Sequence, residues 1–206
     1  KTEALDSIRE SFPTPEHISF TRQDDPKGLG HAVWCARKLI GDQPFAVLLP
    51  DDLMQATPGC LSQMVAAYEK TGGHVVATEE VAEVHTSRYG ILDVAEDDGS
   101  LARARGLVEK PDPADAPSRL AIIGRYILQP DIFEHLDKKV SGAGGEIQLT
   151  DAIAATLDHV PFHGLRIDGR RFDCGTKLGF VEANVAFAAK RDDLGGDIRD
   201  ILSAYL

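Results

Sequence analysis

A short apolar run that stops at two adjacent carboxylates constrains the fold of this chain more than any other feature. The run PFAVLLPDDL, residues 44–53, is rich in Val and Leu and carries Asp51 and Asp52 near its end. Such a run is typical of a strand that is covered on both faces, and open α/β sheets bind ligands at the carboxyl ends of their strands. We therefore expect a strand over residues 45–49 with a binding site beside the two aspartates. The alternative is that Pro50, Asp51 and Asp52 form only a polar turn.

The composition fits one α/β domain with a sizeable core, or most of a larger one. The 206 residues are 43% hydrophobic and 27% charged, as in ordinary globular proteins. No apolar run approaches the roughly 18 residues of a membrane span, and the first residues, KTEALDSIRE, lack a signal-peptide core. We therefore expect a cytoplasmic protein with no membrane partner. Cys35, Cys60 and Cys174 are far apart, which predicts reduced, mostly buried thiols without disulfide or CxxC metal chemistry.

The charge balance bears on the partners. With 22 basic and 33 acidic residues, the net charge of -11 argues against a nucleic-acid partner. A small anionic substrate remains compatible with this charge, because one Lys, backbone amides and a divalent cation can hold a phosphate locally. An acidic protein that handles nucleotides is therefore expected to need Mg2+.

Strands and helices alternate in the first half of the chain, which predicts a largely parallel, helix-covered sheet. We expect strands at residues 18–23, 45–49 and 74–78, with helices at 28–41 and 57–72. The first helix should end at Gly41, and the second should begin at Thr57 and Pro58. The apolar faces of these helices are Ala32, Val33, Ala36, Leu39 and Ile40 in the first and Leu61, Met64, Val65 and Tyr68 in the second.

The second half is less regular and predicts an insertion packed on the sheet. We expect strands at residues 89–94, 101–108 and 121–128, and helices at 131–136, 146–157, 177–190 and 197–205. The helix at 177–190 carries an apolar stripe of Leu178, Val181, Val185 and Ala188. As domains, we expect one unit over residues 1–190 and a C-terminal helix within 191–206.

A glycine-rich segment is the first candidate binding element. In RQDDPKGLGHA, Gln23 precedes Gly28 by five positions, and both lie between the predicted strand and helix. Such a loop lets backbone amides and one side-chain amide approach a flat ligand such as a nucleobase. Alternatively, Gly28 and Gly30 only start a tight helix.

A second candidate lies where predicted strands begin and end. Glu109 and Lys110 close the strand GLV, where a carboxylate can accept sugar hydroxyls and an ammonium can neutralise a phosphate. Gly90 opens another strand and can bring backbone close to a ligand. A surface ion pair and a simple bend are the corresponding structural explanations.

Two later segments add polar groups. GAGGEIQLTDA, residues 142–152, precedes an apolar helix, so its polar groups either cap the helix or reach sugar hydroxyls. RRFDCGTKLG places Asp173 before a glycine turn, and Asp51 and Asp173 together suit one Mg2+, which commonly takes one or two carboxylates. The sequence contains no Gx4GK[ST] phosphate loop and no GxSxG elbow, which disfavours kinases and hydrolases.

Seven of these segments together resemble the bacterial UTP:glucose-1-phosphate uridylyltransferases. They are GLGHAVWCA, FAVLLPDD, RYGILDV, GLVEKP, APSRLAIIGRYIL, GAGGEIQLTDAI and FDCGTKLGF, in the family's order from Arg22 to about Asn184. The resemblance implies a Rossmann-like mixed, mostly parallel sheet of the nucleotide-diphospho-sugar transferase type. It also implies that UMP passes from UTP to glucose 1-phosphate, giving UDP-glucose and pyrophosphate, in a dimer or tetramer with Mg2+.

On the nucleotide side, the resemblance assigns roles to five residues. Gln23 and Gly28 match the positions that read the uracil ring. Asp51 and Asp173 match the Mg2+ ligands, and Asp52 matches the second, variable position of the acidic pair at the nucleotide.

On the sugar side, Lys110 matches the lysine on the sugar phosphate. Glu109 and the backbone of Gly90 match groups on glucose hydroxyls, and Gly124 matches a position that lines the sugar pocket. Lys110 and Asp51 are the expected catalytic residues.

One family segment is missing from the printed sequence. The family begins with a strand and a loop of the form GxGTRxxPxTK, whose backbone, Arg and Lys hold the UTP phosphates. The resemblance therefore implies that this chain holds the sugar half and part of the base half of a site. Two other functions follow as alternatives. One is a non-catalytic homologue that binds UDP-glucose or regulates an active subunit, and the other is transfer with a different base or sugar.

Overall fold

The computed structural model describes Leu5, Asp6, Arg9 and residues 14–205. The first ten residues, KTEALDSIRE, have a sequence typical of a helix, and most of them lie outside this set. The strands are β1 (Phe45–Leu48), β2 (Asp52–Gln55), β3 (His74–Glu80), β4 (Gly90–Asp97), β5 (Leu101–Glu109), β6 (Leu120–Leu128), β7 (Phe162–Arg166) and β8 (Arg170–Asp173). The α-helices are α1 (Leu29–Cys35), α2 (Arg37–Ile40), α3 (Cys60–Thr71), α4 (Ile132–Leu136), α5 (Leu149–Ala154), α6 (Lys177–Lys190) and α7 (Gly195–Ser203).

The described residues form a mixed sheet of the order β1-β6-β3-β7-β5-β4. Its pairings point β1, β3, β7 and β4 in one direction and β6 and β5 in the other. The expected α/β class, a mixed sheet with helices, is confirmed. Among the described strands, however, only β3 and β7 are parallel neighbours, because β6 and β5 insert between strands of the opposite direction. The second half of the chain therefore contributes strands to the sheet instead of packing on it.

The strand predicted from the PFAVLLPDD run forms, but its expected burial on both faces is wrong. β1 lies at one end of the described sheet and alternates between half-buried and exposed residues. The strand that is buried along its whole length is β6, which pairs with β1 on one side and β3 on the other. β6 is buried because it lies between two neighbouring strands. Its place in the sheet matters more for this burial than the apolar character of its sequence.

The core consists of two clusters on opposite faces of the sheet. Along β6, Ile122 and Tyr126 belong to one cluster, whereas Ile123 and Ile127 belong to the other, as expected for alternating side chains. Helices α4 and α5 pack into the first cluster, and α3 packs into the second through Met64. Helices thus cover both faces.

Several predicted elements change at their ends. No strand forms at residues 18–23, which find no ladder partner among the described residues. The predicted helix at 28–41 divides at Ala36 into α1 and α2, although Gly41 caps it as expected with a φ of 65°. Helix α3 begins after Gly59, so Pro58 lies before the helix and not in its first turn. The predictions contained no strand at the positions of β2, β7 or β8.

The apolar stripe expected on α6 does not form a buried face. Leu178 is 78% exposed and Val181 is 59% exposed, whereas the buried positions of this helix are Gly179 and Ala183. In the described part of the chain, no helix combines the length and apolar character needed to cross a bilayer.

The three cysteines are free, and Cys60 alone among them is buried. Cys35 and Cys174 are half-buried, so the expectation of mostly buried thiols is only partly correct. Burial raises the pKa of the Cys60 thiol, which keeps it protonated and inert.

Candidate functional site

A cavity of about 300 Å3 opens where β1, β4, β5 and β8 end or begin. Its wall carries four carboxylates, two guanidinium groups, two phenols and the polar side chains that precede or begin α5. These residues are Asp51, Asp52, Glu109, Asp173, Arg88, Arg171, Tyr89, Tyr126, Gln148 and Thr150, and the other lining residues are Leu29, Leu49, Gly90, Ile122, Gly124 and Leu149.

Strand pairing brings Asp51 and Asp173 together. β2 and β8 run antiparallel with Asp52 opposite Asp173, and the backbone N–H of Cys174 donates to the carbonyl of Asp51 over 2.7 Å. The Asp51 Oδ2 and Asp173 Oδ1 atoms lie 3.3 and 3.1 Å from the position that a Cβ on Gly175 would occupy. The two carboxylates therefore face a common space, which a side chain at position 175 would narrow.

Asp52 is held in a buried polar network. One carboxylate oxygen accepts from the side chain of Arg171, and the other accepts from the backbone N–H of Gly124 over 2.9 Å. The side chains of Asp52 and Arg171 are 10% and 11% exposed. Arg125 adds hydrogen bonds to the carbonyls of Leu49 and Asp52. This network ties β2, β6 and β8 together beneath the two facing carboxylates.

The pKa of Arg171 reflects this surrounding. Burial disfavours its charge, but hydrogen bonds to Asp52 and Tyr89 outweigh burial and raise its pKa. For Tyr126 on the same wall, burial followed by the nearby charges of Glu109 and Asp52 raises the pKa of the phenol. The cavity therefore presents a neutral Tyr126 and a permanently charged Arg171.

Glu109 and Gly90 face each other across paired strands. They are register partners in β5 and β4, and the hydroxyl of Thr150 donates to Glu109 Oε2 over 3.0 Å. A Cβ on Gly90 would lie 3.2 Å from that oxygen, so a larger residue would crowd the carboxylate. The other oxygen of the Glu109 carboxylate does not bond to Thr150, and the backbone of Gly90 lies beside it. Together these groups suit a ligand that carries hydroxyls.

Lys110 follows Glu109 at the rim of the cavity. Its Nζ atom lies 3.6 Å from Glu109 Oε1, and its backbone N–H donates to the Tyr89 carbonyl over 3.0 Å. Its φ of 47° is in the left-handed region, which non-glycine residues rarely adopt. Such conformations cluster at functional sites, which makes Lys110 a candidate independently of its charge.

Gly124 allows β6 to approach the segment that carries the aspartates. Its carbonyl accepts from the backbone N–H of Leu49 over 2.9 Å, and a Cβ here would stand 2.8 Å from Leu49 Cβ. The absence of a side chain is therefore required for packing and also leaves space in the cavity.

Gln23 and Gly28 lie together, outside the lining of this cavity. The side-chain amide of Gln23 donates to the Gly28 carbonyl over 3.1 Å and lies 3.0 Å from His31 Nδ1. Gly28 has a φ of 101°, and a Cβ here would stand 2.7 Å from Glu146 Cβ. Gly28 thus has a structural role at the start of α1, next to the cavity-lining Leu29.

The structure brings most of the predicted residues together. Asp51, Asp52, Gly90, Glu109, Gly124 and Asp173 line one cavity, Lys110 adjoins it, and Gln23 and Gly28 lie apart. Sequence reasoning missed Arg171 and Tyr126. Arg171 precedes Asp173 by two positions on β8 and so shares its face, but this signal depends on a strand that the sequence reasoning did not predict. Tyr126 sits within an apolar run and gives no such signal.

Comparisons with known proteins point to one family. The family model described as "Nucleotidyl transferase" matches residues 4–190. The chain is 52% identical over 178 residues to UTP–glucose-1-phosphate uridylyltransferase of Komagataeibacter xylinus, covering 86% of this chain and 63% of the relative. It is 46% identical to the enzyme of the same name from Bacillus subtilis (strain 168), covering 100% of this chain and 70% of the relative. The chain thus spans less than two thirds of the length of the first relative and about two thirds of the second.

Solved structures give the same result. A UDP-glucose pyrophosphorylase in complex with UDP-glucose matches with a TM-score of 0.83 at 42% identity, covering 92% of this chain and 72% of that one. A UTP-bound enzyme from Acinetobacter baumannii matches with a TM-score of 0.82 at 36% identity, covering 98% of this chain and 71% of that one. The resemblance expected from the seven sequence segments is confirmed. The chain therefore belongs to the nucleotidyl transferase family, and within it to the group of the UTP–glucose-1-phosphate uridylyltransferases.

Proposed function

We propose that this protein transfers UMP from UTP to glucose 1-phosphate, giving UDP-glucose and pyrophosphate. The observation that supports this most directly is the convergence of Asp51, Asp173, Glu109 and Gly90 on one cavity. These residues come from separate segments of the chain. Relatives that match most of the chain are named uridylyltransferases. The chain spans 63% of the length of the first of these relatives.

Asp51 and Asp173 suit a divalent cation. Nucleotidyl transferases of this family generally use a divalent metal. Within the described residues, no group of three or more His, Cys, Asp or Glu side chains could hold a metal ion. Two facing carboxylates without a third ligand nevertheless fit Mg2+, which takes its remaining ligands from substrate phosphates and water. We therefore propose Mg2+ as the metal and these two aspartates as its protein ligands.

The other residues divide between sugar and nucleotide. Glu109 is proposed to accept hydrogen bonds from glucose hydroxyls, and the backbone of Gly90 is proposed to donate to them. Gly124 lines the same pocket. Lys110 is proposed to neutralise the sugar phosphate from the rim. Gln23 and Gly28 are proposed to read the uracil ring.

Asp52 is the exception on the nucleotide side. We predicted it as a nucleotide-binding residue, and that role stays a prediction. Its bonds to Arg171 and Gly124 favour a supporting role beneath Asp51 and Asp173.

The proposed reaction is a direct displacement. An oxygen of the sugar phosphate attacks the α-phosphorus of UTP, and the bond from that phosphorus to the oxygen bridging the β-phosphate breaks, so this oxygen leaves with pyrophosphate. No covalent enzyme intermediate is needed. The chain's residues contribute by orienting the two substrates and by placing Lys110 against the incoming phosphate. When bound, Mg2+ supplies neutralisation of the phosphate charge.

The alternatives are less well supported. The names of the relatives favour an enzyme over a non-catalytic UDP-glucose-binding homologue, and they favour UTP and glucose 1-phosphate over other bases and sugars. Exposed apolar residues on α6, Leu178, Phe180 and Val181, support a homodimer or homotetramer as a further proposal. The cytoplasmic location and the division into residues 1–190 and 191–206 stay predictions.

Two measurements on the purified chain test this function. Pyrophosphate release is followed with UTP, glucose 1-phosphate and Mg2+, and UDP-glucose binding is measured by isothermal titration calorimetry. Release together with binding supports the transferase. Binding without release favours the non-catalytic homologue, and the absence of both overturns the proposal. Competition among the four nucleoside triphosphates then tests the preference for uracil.

A further inference from the structure

Arg88 is the loosely held guanidinium of the cavity. Its Nη2 atom lies 3.6 Å from Asp173 Oδ2, and its side chain is 52% exposed. Arg171, in contrast, is 11% exposed and contacts both Asp52 and Glu79, the latter over 3.1 Å. Arg171 is therefore fixed by its partners, whereas Arg88 forms one ion pair within the described part of the chain, at 3.6 Å to a proposed metal ligand.

The backbone of Arg88 is well anchored, so a change in its partner requires only its side chain to move. Arg88 ends the 3-10 helix Glu83–Arg88, in which Thr86 is fully buried. The Thr86 hydroxyl donates to the Glu83 carbonyl over 2.8 Å, and the Tyr89 N–H donates to the Thr86 carbonyl over 3.2 Å. The long, exposed side chain can then rotate at the cavity mouth.

The positive charge of Arg88 suits two partners, the Asp173 carboxylate and a phosphate group. Asp51 and Asp173 bring two negative charges to a common space, and without a cation Arg88 partly neutralises Asp173. A divalent cation at the same carboxylates competes for Asp173 and repels the guanidinium. A guanidinium freed in this way matches a phosphate group geometrically, because it can donate two parallel hydrogen bonds.

We propose that Arg88 is an internal counter-ion that a divalent cation displaces from Asp173, and that the released guanidinium then binds a phosphate of the nucleotide. This inference rests on the proposed function, because the cation and the nucleotide are those of the proposed reaction. It adds Arg88 as a phosphate-binding residue whose availability depends on the metal.

The first test measures Mn2+ binding by electron paramagnetic resonance in the absence of nucleotide, with Mg2+ as competitor. Mn2+ is a suitable probe because it shares the oxygen ligands of Mg2+. Arg88→Ala is expected to tighten cation binding by roughly three- to fivefold, the amount that a partly exposed ion pair supplies. The matched control is Arg105→Ala, since Arg105 is exposed and pairs with Asp93 away from the cavity. It changes the net charge equally and should leave binding unchanged.

The second test measures UDP-glucose binding by calorimetry at saturating Mg2+. Arg88→Ala is expected to weaken it by roughly fivefold or more, and Arg88→Lys should restore part of the affinity because it keeps the charge without the bidentate geometry. Cation affinity that is unchanged or lower in Arg88→Ala, or an unchanged affinity for UDP-glucose, overturns the inference. Failure of the wild-type chain itself to bind UDP-glucose instead overturns the proposed function, so the two failures are distinguishable.

Discussion

At the scale of single residues, Lys110 combines a charge with a strained backbone. Its left-handed φ of 47° suggests that the position serves ligand binding at some cost in stability. Both Lys110→Ala and Lys110→Gly are expected to lower pyrophosphate release by about 100-fold, as for loss of one transition-state contact. Lys110→Gly should be more stable than Lys110→Ala by about 1 kcal/mol, because glycine adopts this φ without the left-handed penalty. Urea unfolding measures the difference.

Two controls separate charge from conformation at Lys110. Lys190→Ala removes an exposed lysine at the end of α6 and should retain full activity. Lys139→Gly changes the other described non-glycine residue with a positive φ and should also leave activity intact. Full activity in Lys110→Ala would remove the residue from the reaction.

Asp173 gives a second prediction at this scale. Asp173→Asn removes one of two charges that face the proposed metal, so the Mg2+ requirement is expected to rise by about tenfold or more. A Mg2+ titration of pyrophosphate release and of Mn2+ binding measures the shift. Asp192→Asn, an exposed change of the same kind, is the control. An unaltered titration in Asp173→Asn would contradict its assignment as a ligand.

At the scale of elements, the start of α1 depends on contact with the segment before α5. The Ile147 N–H donates to the Lys27 carbonyl over 2.7 Å, and the Gly30 N–H donates to the Ile147 carbonyl over 2.9 Å. Gly28 lies between these bonds with a φ of 101° and no space for a Cβ. Gly28→Ala is therefore expected to lower the free energy of unfolding by roughly 2–4 kcal/mol, through strain and overlap together.

Gly41 provides the matched control for this prediction. It has a φ of 65° at the end of α2, but a Cβ there would meet no atom within 4 Å. Gly41→Ala should thus carry only the conformational penalty, roughly 1–3 kcal/mol, and should lose less stability than Gly28→Ala. If urea unfolding shows equal losses for both variants, the close contact between α1 and the loop before α5 does not contribute to stability.

At the scale of the whole molecule, a buried histidine sets part of the acid sensitivity. His74 begins β3, is fully buried, accepts from the Gln129 N–H and bonds to Thr156. Burial lowers its pKa from 6.5 to about 4. The unfolded chain therefore binds a proton between these values that the folded protein excludes. The neutral, buried His74 therefore contributes to the free energy of unfolding. This contribution is fully present above pH 6.5 and is lost as the pH falls towards 4, by an amount on the order of 3 kcal/mol.

Urea unfolding between pH 7 and pH 4 tests this dependence. The carboxyl groups with lowered pKa, such as Asp97 and Asp98, begin to contribute only below about pH 5, so the slope between pH 7 and pH 5 is left to histidine. His74→Gln is expected to flatten the pH dependence even if it lowers stability at pH 7. The remaining slope should combine His163, whose pKa burial also lowers, with His159, whose pKa is raised by its hydrogen bond to Asp158 and which therefore contributes with the opposite sign. A variant with the wild-type slope would exclude His74 as the cause.

The sequence predicted the individual acidic positions better than it predicted their surroundings. Asp51 and Glu109 were identified because each closes or follows a short β-like segment, and Asp173 because it precedes a glycine turn into a helix; both are local signals. The boundary of α5 was missed because the bonds of Ile147 to Lys27 and Gly30 hold residues 146–148 extended. Those bonds join segments more than a hundred positions apart, and no local pattern predicts such a contact.

Local pattern alone therefore determined the α/β class, the positions of most strands and the segments that carry the family resemblance, since strand periodicity and glycine placement act over a few residues. Only the tertiary structure decided which strands became neighbours. It also decided which residues became buried, and that Arg171, Asp52 and Gly124 form one network beneath the facing carboxylates. These outcomes depend on strands inserting between others far away in the chain, where each contact gains its energy from partners that the local sequence does not contain.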